Sequence, residues 1–460
     1  MPFLIFSLCY SASAQDSSIS GWAAFSSSVS DGETLPFWFT HNQNGKYTQQ
    51  GGAYQLLETG FHGDYLVHSL ARVDYGLDAN ISYSGKLVGQ VNQLYLGIRC
   101  KRLVLRVGAF ANPVLFVGLS SSNGSIIRTV NARPYPKIRL STNGFIPAPF
   151  LKRSLSFKAE YDEGVLYGPR VVKRPRLHHK SFFIRYGNSS GLRVEAGMNH
   201  YVFWGGISPV YGQLPDGIKD YPLYVLGKPG NTDFPATDVN VAGNQLGDYS
   251  ILVTKTVKGG VLKFYASHPF EDHSGMEFDN LPDNLYGVGY FKDDSNSFFE
   301  GFIYEFLFTK QQSGAKHVVT GPKSGRMRGL DNYFNHGVYA SGFTYRGFAM
   351  PSPLFFPLVI NNEGVAAGFA NNRVIAHHLG ARGNFRPGLQ WKILLTSTKN
   401  FGTYGSPFSP AKKQFLSYCE VKFAPEAEPV ELFLSAGVDI GNLSGGRVGV
   451  MLKVVRTFSK

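Results

Sequence analysis

The sequence lacks any long apolar run after its first residues. No stretch of about 18 consecutive apolar residues, the length that a membrane-spanning helix needs, follows the N-terminus, and the mean hydropathy is -0.11. Charged residues are also scarce, at 17% of the chain against the ~25% usual in soluble domains. Helical membrane spans are therefore excluded. Only a closed β-barrel would let this chain cross a bilayer, because it leaves no backbone hydrogen bond unmade.

Cysteine is rare, and the usual signs of cofactor binding are missing. Of the three cysteines, Cys9 lies in the N-terminal segment, while Cys100 and Cys419 are far apart in the sequence. Burial without a bond is the favoured interpretation of this pair, and a disulfide is the alternative in an oxidising compartment. The chain has neither a paired zinc-type cysteine motif nor a phosphate-binding glycine-rich loop, so we predict no cofactor.

What the sequence does contain is aromatic residues, glycine and positive charge. Phe and Tyr number 37 and 25, Gly numbers 53, and the formal net charge is +13. The basic residues alternate with apolar ones instead of clustering on a helix or in a tail, which argues against a nucleic-acid partner. An acidic polymer, either lipopolysaccharide phosphate or capsule, is the expected partner of such a surface.

The N-terminal region divides into two segments. Residues 1–14 are apolar and end in Ala-Ser-Ala, which predicts a secretory signal peptide, although the usual Lys or Arg near the start is missing. Residues 15–50 are rich in Ser and Gly, contain Phe37-Trp38-Phe39 and show no clean alternation. We expect them to form a small periplasmic or plug region, which leaves residues 51–460 as the outer-membrane β-barrel.

Period-two alternation repeats along the rest of the chain and indicates strands with one face in lipid. In the segment 72–83 the odd positions are apolar, from Val73 to Tyr83, and the even positions are polar or small, from Arg72 to Ser82. Segments 155–162, 192–204 and 389–395 show the same pattern. These candidate strands run for about 9 to 13 residues, the length of a tilted membrane strand, and short and long connections alternate between them.

The fold class that this pattern predicts is all-β, a closed antiparallel transmembrane β-barrel. Seventeen candidate strands can be placed, including 297–312 and 336–346. Because bacterial single-chain barrels have an even number of strands, we predict eighteen, with sixteen as the alternative. The missing strand is expected before residue 54 or within 205–247.

The last candidate strand sets the orientation. Its apolar residues alternate up to Phe458, like the terminal strand that the barrel assembly machinery recognises. With the C-terminus in the periplasm of a Gram-negative bacterium, the short turns at 258–260 and 386–388 are periplasmic. The long segments then lie outside: 163–177, 205–247, 269–296, 347–375 and 400–413. The connection 313–335 conflicts with this pattern, because it is long and yet placed in the periplasm.

Two of the outer segments carry candidate binding residues. A basic cluster in 168–180 could attract an acidic polysaccharide by long-range charge and forked Arg hydrogen bonds, with simple lipopolysaccharide contact as an equal alternative. Tyrosines in 205–247 could stack on sugar rings, although packing of this loop against the barrel is slightly favoured. The polysaccharide-binding candidates are Arg170, Lys173, Arg174, Arg176, Tyr211, Tyr221 and Tyr224.

We predict no catalytic residues and no metal site. The segment 187–191 matches the Gly-x-Ser-x-Gly elbow of hydrolases, but alternating strands flank it, which indicates a hairpin turn. The histidine pairs at 178–179 and 377–378 are strand neighbours, so each pair should place one ring on the wall and one in the lumen. Acidic residues at 271–272 and 293–294 are placed in one outer loop, where solvated charge is favoured over calcium binding.

A series of short motifs runs along nearly the whole mature chain, at 35–38, 177–181, 197–200, 204–206, 243–247, 331–335, 342–347, 372–373 and 377–380. In the order and spacing of these motifs the sequence resembles the Wzi-like capsule assembly family of outer-membrane proteins, in the form common in Bacteroidetes. The resemblance implies an eighteen-stranded barrel, a small helical region on the periplasmic side, and lectin-like attachment of capsular polysaccharide. Met198, Asn199 and Gln245 depart from the residues that this family usually has there.

Three functions follow as hypotheses. The first is a non-enzymatic barrel that binds and anchors capsular polysaccharide at the cell surface, in contact with outer-membrane lipids and lipopolysaccharide. The second is a diffusion channel or porin, and the third, weakly supported, is an outer-membrane hydrolase. A plugged lumen favours binding, whereas an open lumen favours transport.

Overall fold

The computed structural model describes most of the mature chain. The described residues are 17–48, 51–148, 154–187, 191–231, 233–235, 241–271, 273–315, 317–318, 327–425 and 428–459. The predicted signal peptide, residues 1–14, lies outside the described residues. No helix in the described part of the chain is long and apolar enough to span a membrane.

Eighteen antiparallel strands form one closed barrel. Each strand pairs with the next, and β1 also pairs with β18, which closes the sheet. The strands are β1 Ser17–Ser30, β2 Ala53–His68, β3 Ala71–Tyr83, β4 Leu87–Cys100, β5 Leu103–Ala109, β6 Pro136–Thr142, β7 Leu155–Val165, β8 Arg176–Gly187, β9 Leu192–Trp204, β10 Asn244–Val257, β11 Gly260–Phe270, β12 Asn284–Lys292, β13 Gly301–Phe308, β14 Val374–Arg386, β15 Leu389–Gly402, β16 Pro407–Phe423, β17 Val430–Gly441 and β18 Arg447–Ser459.

Short elements lie in the connections. A two-residue strand, Ile146–Pro147, continues the edge of β6 against β7. The helices are α1 Phe37–Thr40, α2 Tyr221–Leu226 and α3 His273–Met276, with one 3-10 turn at Phe116–Gly118. Four small hairpins complete the set: Ile207–Ser208 with Gly212–Gln213, His317–Val318 with Met327–Arg328, Thr344–Tyr345 with Phe348–Ala349, and Leu358–Ile360 with Ala366–Phe369.

The strand count confirms the predicted eighteen, and β1 lies before residue 54, one of the two places where the missing strand was expected. Two individual predictions were wrong: β12 was missed, and 336–346 is not a strand of the barrel. Ser, Ala and Gly dilute the apolar face of β1, and Gly287 and Gly289 interrupt β12, so neither shows strong alternation. The segment 336–346 instead places Tyr339, Phe343 and Tyr345 in the buried core inside the barrel.

The wall has the predicted two faces. On β3, Leu77 is 41% exposed on the outside, whereas Asn80 is 4% exposed on the inside. An apolar outer face and a polar inner face are what a strand between lipid and lumen requires. Cys100 and Cys419 are both free and exposed, so the expected burial of this pair was wrong and no disulfide joins them.

The two ends of the barrel differ in the length of their connections. One end carries both ends of the described chain and short turns such as Ser69-Leu70, Lys101-Arg102 and Pro387-Gly388. The other end carries the long segments 110–135, 205–243 and 309–373. Short turns are periplasmic and long loops extracellular in this class of barrel, which orients the molecule. The described residues of 313–335 therefore lie at the outer end, and the conflict in the predicted topology disappears.

The predicted N-terminal region, 15–50, divides in the structure. Ser17–Ser30 is a strand of the barrel wall. The segment that follows begins at the long-loop end of the barrel and contains α1. The other described helices also lie in connections at that end. The helical region on the periplasmic side, implied by the family resemblance, is therefore not seen among the described residues.

Candidate functional site

Three segments fold back into the barrel and occupy its lumen. These segments, 31–48, 110–135 and the described residues of 309–373, are called the plug here. Phe37 and Trp38 from the first segment, Leu119 from the second and Phe334 and Phe355 from the third belong to one buried apolar core with the inner wall. Burial of so many large side chains stabilises the plug, since each contributes about 1.5–3 kcal/mol.

Each plug segment is also held by a carboxylate at the wall. The backbone N–H of Phe37 donates to Asp439 of β17 at 2.9 Å. The backbone N–H of Ser121 donates to Glu305 of β13 at 2.7 Å. The backbone N–H of Gln312 donates to Asp283, just before β12, at 2.7 Å. Each of these contacts joins a backbone N–H of the plug to a carboxyl oxygen of the barrel, so together they fix the plug in position.

The basic cluster predicted from the sequence divides into buried and exposed members. Arg170 is buried, and its guanidinium donates to the carbonyl oxygens of Gly342 and Thr344 in the plug. Burial lowers the pKa of Arg170 to about 10, so it stays charged near neutral pH. Lys173 and Arg174 are exposed. Of this cluster, these two are therefore free to meet an external anion, whereas Arg170 ties the loop to the plug.

Arg176 contributes to a different surface. Its guanidinium lies 4.5 Å from the centre of the Trp204 ring and pairs with Asp216 at 3.1 Å. The predicted tyrosines also separate. Tyr211 is exposed, whereas Tyr224 is buried and donates from its hydroxyl to the carbonyl of Pro215 at 2.7 Å. Tyr224 therefore packs within the loop, which is the alternative that the sequence favoured over stacking on sugar rings.

The described residues of 205–243, called the outer flap here, fold down over the outside of the wall. The described part buries Tyr224, Phe234 and Ala242 against Val202 and Trp204 at the end of β9. This packing explains why the outward-facing residues at this end of β9 are buried, although the alternation places them on the lipid side. The flap thus covers the outer end of β9, which would otherwise face the membrane.

The histidine pairs follow the predicted alternation. His179 points into the lumen beside Asp162, with 3.2 Å between Nδ1 and the carboxylate, while His178 is on the outer parity beneath the flap. Likewise His378 binds the plug carbonyl of Leu119 at 2.8 Å, and His377 is exposed outside. Within the described ranges, no three His, Cys, Asp or Glu side chains are grouped to hold a metal ion.

The structure also places the acidic residues and the Gly-x-Ser-x-Gly segment that the sequence singled out. The acidic residues at 293–294 lie at the short-turn end, separated by β12 from Glu271 at the outer end, so their placement in one loop was wrong. The Gly-x-Ser-x-Gly segment joins β8 and β9, which pair as an antiparallel hairpin. Its central residues, 188–190, lie outside the described residues.

A cleft of about 560 Å³ opens on the outer wall beside the flap and is called the rim cleft here. Its Tyr221 hydroxyl is hydrogen-bonded to the Glu163 carboxylate, which also contacts Nδ1 of His178 at 2.6 Å. Burial and this carboxylate hold the pKa of the Tyr221 hydroxyl well above its ordinary value. The residues that line the cleft include Val107, Ile138, Glu163, Arg176, Trp204 and Tyr221.

Sequence reasoning found Arg176 and Tyr221 but missed Glu163 and Trp204. A signal for both was present. Glu163 continues the outward parity of Tyr161, where a lipid-facing strand should be apolar, and Trp204 ends the apolar series of β9. A carboxylate on the lipid parity is unusual enough to indicate a covered or functional site.

The fold resembles that of known outer-membrane proteins. Over 97% of this chain and 85% of the other, it is similar to Wzi, an outer-membrane protein involved in group 1 capsule assembly in Escherichia coli that is a carbohydrate-binding β-barrel, with a TM-score of 0.60 and 14% identity. It is also similar to OpdK from Pseudomonas aeruginosa, with a TM-score of 0.50 and 10% identity over 97% of this chain and 99% of the other. No protein-family model and no curated protein sequence matches the chain.

This chain is an eighteen-stranded outer-membrane barrel. At such low identities the likeness establishes the fold alone. The chemistry of the rim cleft therefore follows from its own residues. It offers aromatic rings, a guanidinium and a carboxylate, which are groups that stack on sugar rings and hydrogen-bond to their hydroxyls.

Proposed function

We propose that this barrel binds and anchors capsular polysaccharide at the cell surface without catalysis, as a member of the Wzi-like family. The observation that carries the proposal is the occupied lumen: three plug segments pack into one apolar core and are held by carboxylates at the wall. A filled lumen does not suit the alternative of a diffusion channel. It does suit a barrel whose work is done at its outer surface.

The outer end carries the groups that an acidic polymer requires. Lys173 and Arg174 are exposed there, and Tyr211 is 48% exposed. The backbone of Lys173 pairs with Ile207 of the outer flap, so these cations are held next to the flap and close to the rim cleft. The binding surface we propose therefore consists of Lys173, Arg174, Tyr211 and the rim cleft, while Arg170 and Tyr224 support it from within.

The direct test compares two double variants of equal charge. Lys173→Gln with Arg174→Gln removes the exposed part of the cluster. Lys86→Gln with Lys413→Gln removes two exposed cations elsewhere at the outer end. We expect the first variant to bind the purified capsular polysaccharide of the source cell several-fold more weakly at 0.15 M salt, and the second to bind like the wild type.

Salt separates the proposed mechanism from stacking alone. The screening length falls from about 8 Å at 0.15 M to about 3 Å at 1 M, so wild-type binding should weaken over this range and the first variant should respond less. Unchanged binding by the first variant would show that these cations contact only lipopolysaccharide. Both barrels must show heat-modifiable migration on gels before binding is measured.

A further inference from the structure

A groove continues below the rim cleft along the lipid-facing wall. Between β6 and β9, Leu140, Tyr161, Phe182 and Met198 line a groove of about 410 Å³, with Ala159 among its lining residues. Phe182 and Met198 also line a second groove of about 700 Å³ that passes beneath Phe278 and Leu281. These two grooves, called the wall groove here, are apolar and of a size that accommodates acyl chains.

The rim cleft and the wall groove meet at Tyr161. This residue lines the wall groove, and its hydroxyl is hydrogen-bonded to the hydroxyl of Tyr221, which lines the cleft. Glu163, two residues further along β7 on the same face, belongs to the cleft. Two residues of a strand span about 6.6 Å. The apolar wall groove at Tyr161 and the polar groups of the rim cleft at Glu163 are therefore this close along β7.

A cation lies at the same level of the wall. Lys180 is paired in register with Tyr161 and also lines the wall groove. Its ammonium donates to the backbone carbonyl of Val225 in the flap, and no carboxylate pairs with it in the described part of the chain. A lysine on a lipid-facing wall is destabilising to an extent that depends on its depth in the membrane. An anionic group of the ligand would offset that cost.

Two buried polar atoms nearby also await partners. The indole N–H of Trp204 and Nε2 of His178 have no hydrogen-bond partner among the described residues, although both side chains are at least nine-tenths buried. Trp204 lines the rim cleft, and His178 contacts Glu163 of the same cleft. Unpaired buried polar atoms of this kind, here the indole donor and a ring nitrogen of His178, are costly, which points to a polar ligand at this place.

We propose that the rim cleft and the wall groove together bind a phosphorylated glycolipid of the outer leaflet. Its sugars lie in the rim cleft against Tyr221 and Arg176, its phosphate lies at Lys180, and its acyl chains lie in the wall groove. This inference rests on the proposed function, because it names the form in which polysaccharide is held, by an acyl-bearing end embedded in the membrane.

The test uses the full barrel in detergent and three probes. These are purified lipopolysaccharide, the same glycan after chemical deacylation, and phosphatidylglycerol, which has phosphate and acyl chains but no sugar. We expect lipopolysaccharide to bind at least tenfold more tightly than either other probe. Equal binding of the deacylated glycan would overturn the role of the wall groove, and equal binding of phosphatidylglycerol would reduce the site to bilayer contact.

Two variants locate the site. Ala159→Phe fills the wall groove with an apolar side chain and should weaken lipopolysaccharide binding about tenfold without changing binding of the deacylated glycan. Lys180→Met removes the cation and should also weaken lipopolysaccharide binding, which keeps the test decisive if Ala159→Phe fails to assemble. The matched control is Leu434→Phe, a lipid-facing residue of β17. Wild-type affinity in both variants would refute the proposal.

This outcome is distinguishable from failure of the proposed function. If acyl-free capsular polysaccharide binds through Lys173 and Arg174 while lipopolysaccharide shows no preference over its deacylated form, the proposed function stands and the glycolipid site is rejected. If neither the polysaccharide nor the deacylated glycan binds, the proposed function itself is rejected.

Discussion

Removal of the Glu305 side chain should loosen the plug and let ions through the barrel. The carboxylate of Glu305 accepts hydrogen bonds from Ser120 Oγ at 2.5 Å, from Ser121 N–H and Oγ at 2.7 and 2.5 Å, and from Tyr265 at 2.5 Å. Glu305 is 1% exposed, so water does not replace these partners in the closed state. Glu305→Ala would leave three buried donor groups of the plug segment 110–135 without their acceptor.

The size of the effect follows from the two bonds of Ser121 alone. A hydrogen bond to a charged group contributes about 1.5–3 kcal/mol, so losing both should cost at least roughly 3 kcal/mol. Each 1.4 kcal/mol is a factor of ten, which raises the population of the detached segment about a hundredfold. The variant should therefore show frequent large openings in planar bilayers, where the wild type shows few.

A matched variant separates this effect from the loss of a lumenal charge. Glu195 also faces the lumen, but its carboxylate pairs with Arg185 and Arg193 of the wall and not with the plug. Glu195→Ala should therefore remain as quiet as the wild type. Steady large currents through the wild type would show that the described plug does not close the barrel. If the Glu305→Ala variant folds but shows no additional openings in planar bilayers, Glu305 does not hold the segment.

Two further predictions concern pH and the wall. His336 accepts the backbone N–H groups of Val338 and Tyr339 on Nδ1 at 3.2 and 3.3 Å, and burial lowers its pKa to about 4. The stability that neutral His336 contributes is present above its ordinary pKa near 6.5 and is lost as pH falls towards 4, so openings should increase over that range. His336→Asn, which keeps an acceptor that does not titrate, should respond less, and an identical pH profile would contradict this reasoning. On β3, Leu77→Asp should impair assembly, whereas Asn80→Asp should be tolerated, as judged by heat-modifiable migration; equal tolerance would overturn the register, because only Leu77 faces lipid.

The barrel itself could be read from the sequence because its signal is local. Each strand needs only alternate side chains of different polarity, and β3 shows this from Val73 to Tyr83 without reference to any other segment. Strands with diluted signals, such as β1, could not be delimited from the sequence for the same reason. Their place is decided by neighbours, since β1 is held between β2 and β18 at opposite ends of the chain.

The proposed binding surface depends on contacts that no local pattern contains. Arg170 and Arg174 are alike as sequence, and only the position of the plug makes the first a buried support and the second an exposed cation. Tyr211 and Tyr224 differ in the same way, through the fold of the outer flap. The amino-acid order alone therefore determined which faces meet lipid and water, because period-two alternation is a property of one strand. The filled lumen, the covered wall and the rim cleft were decided only in the tertiary structure, because each joins residues brought together by closure of the barrel.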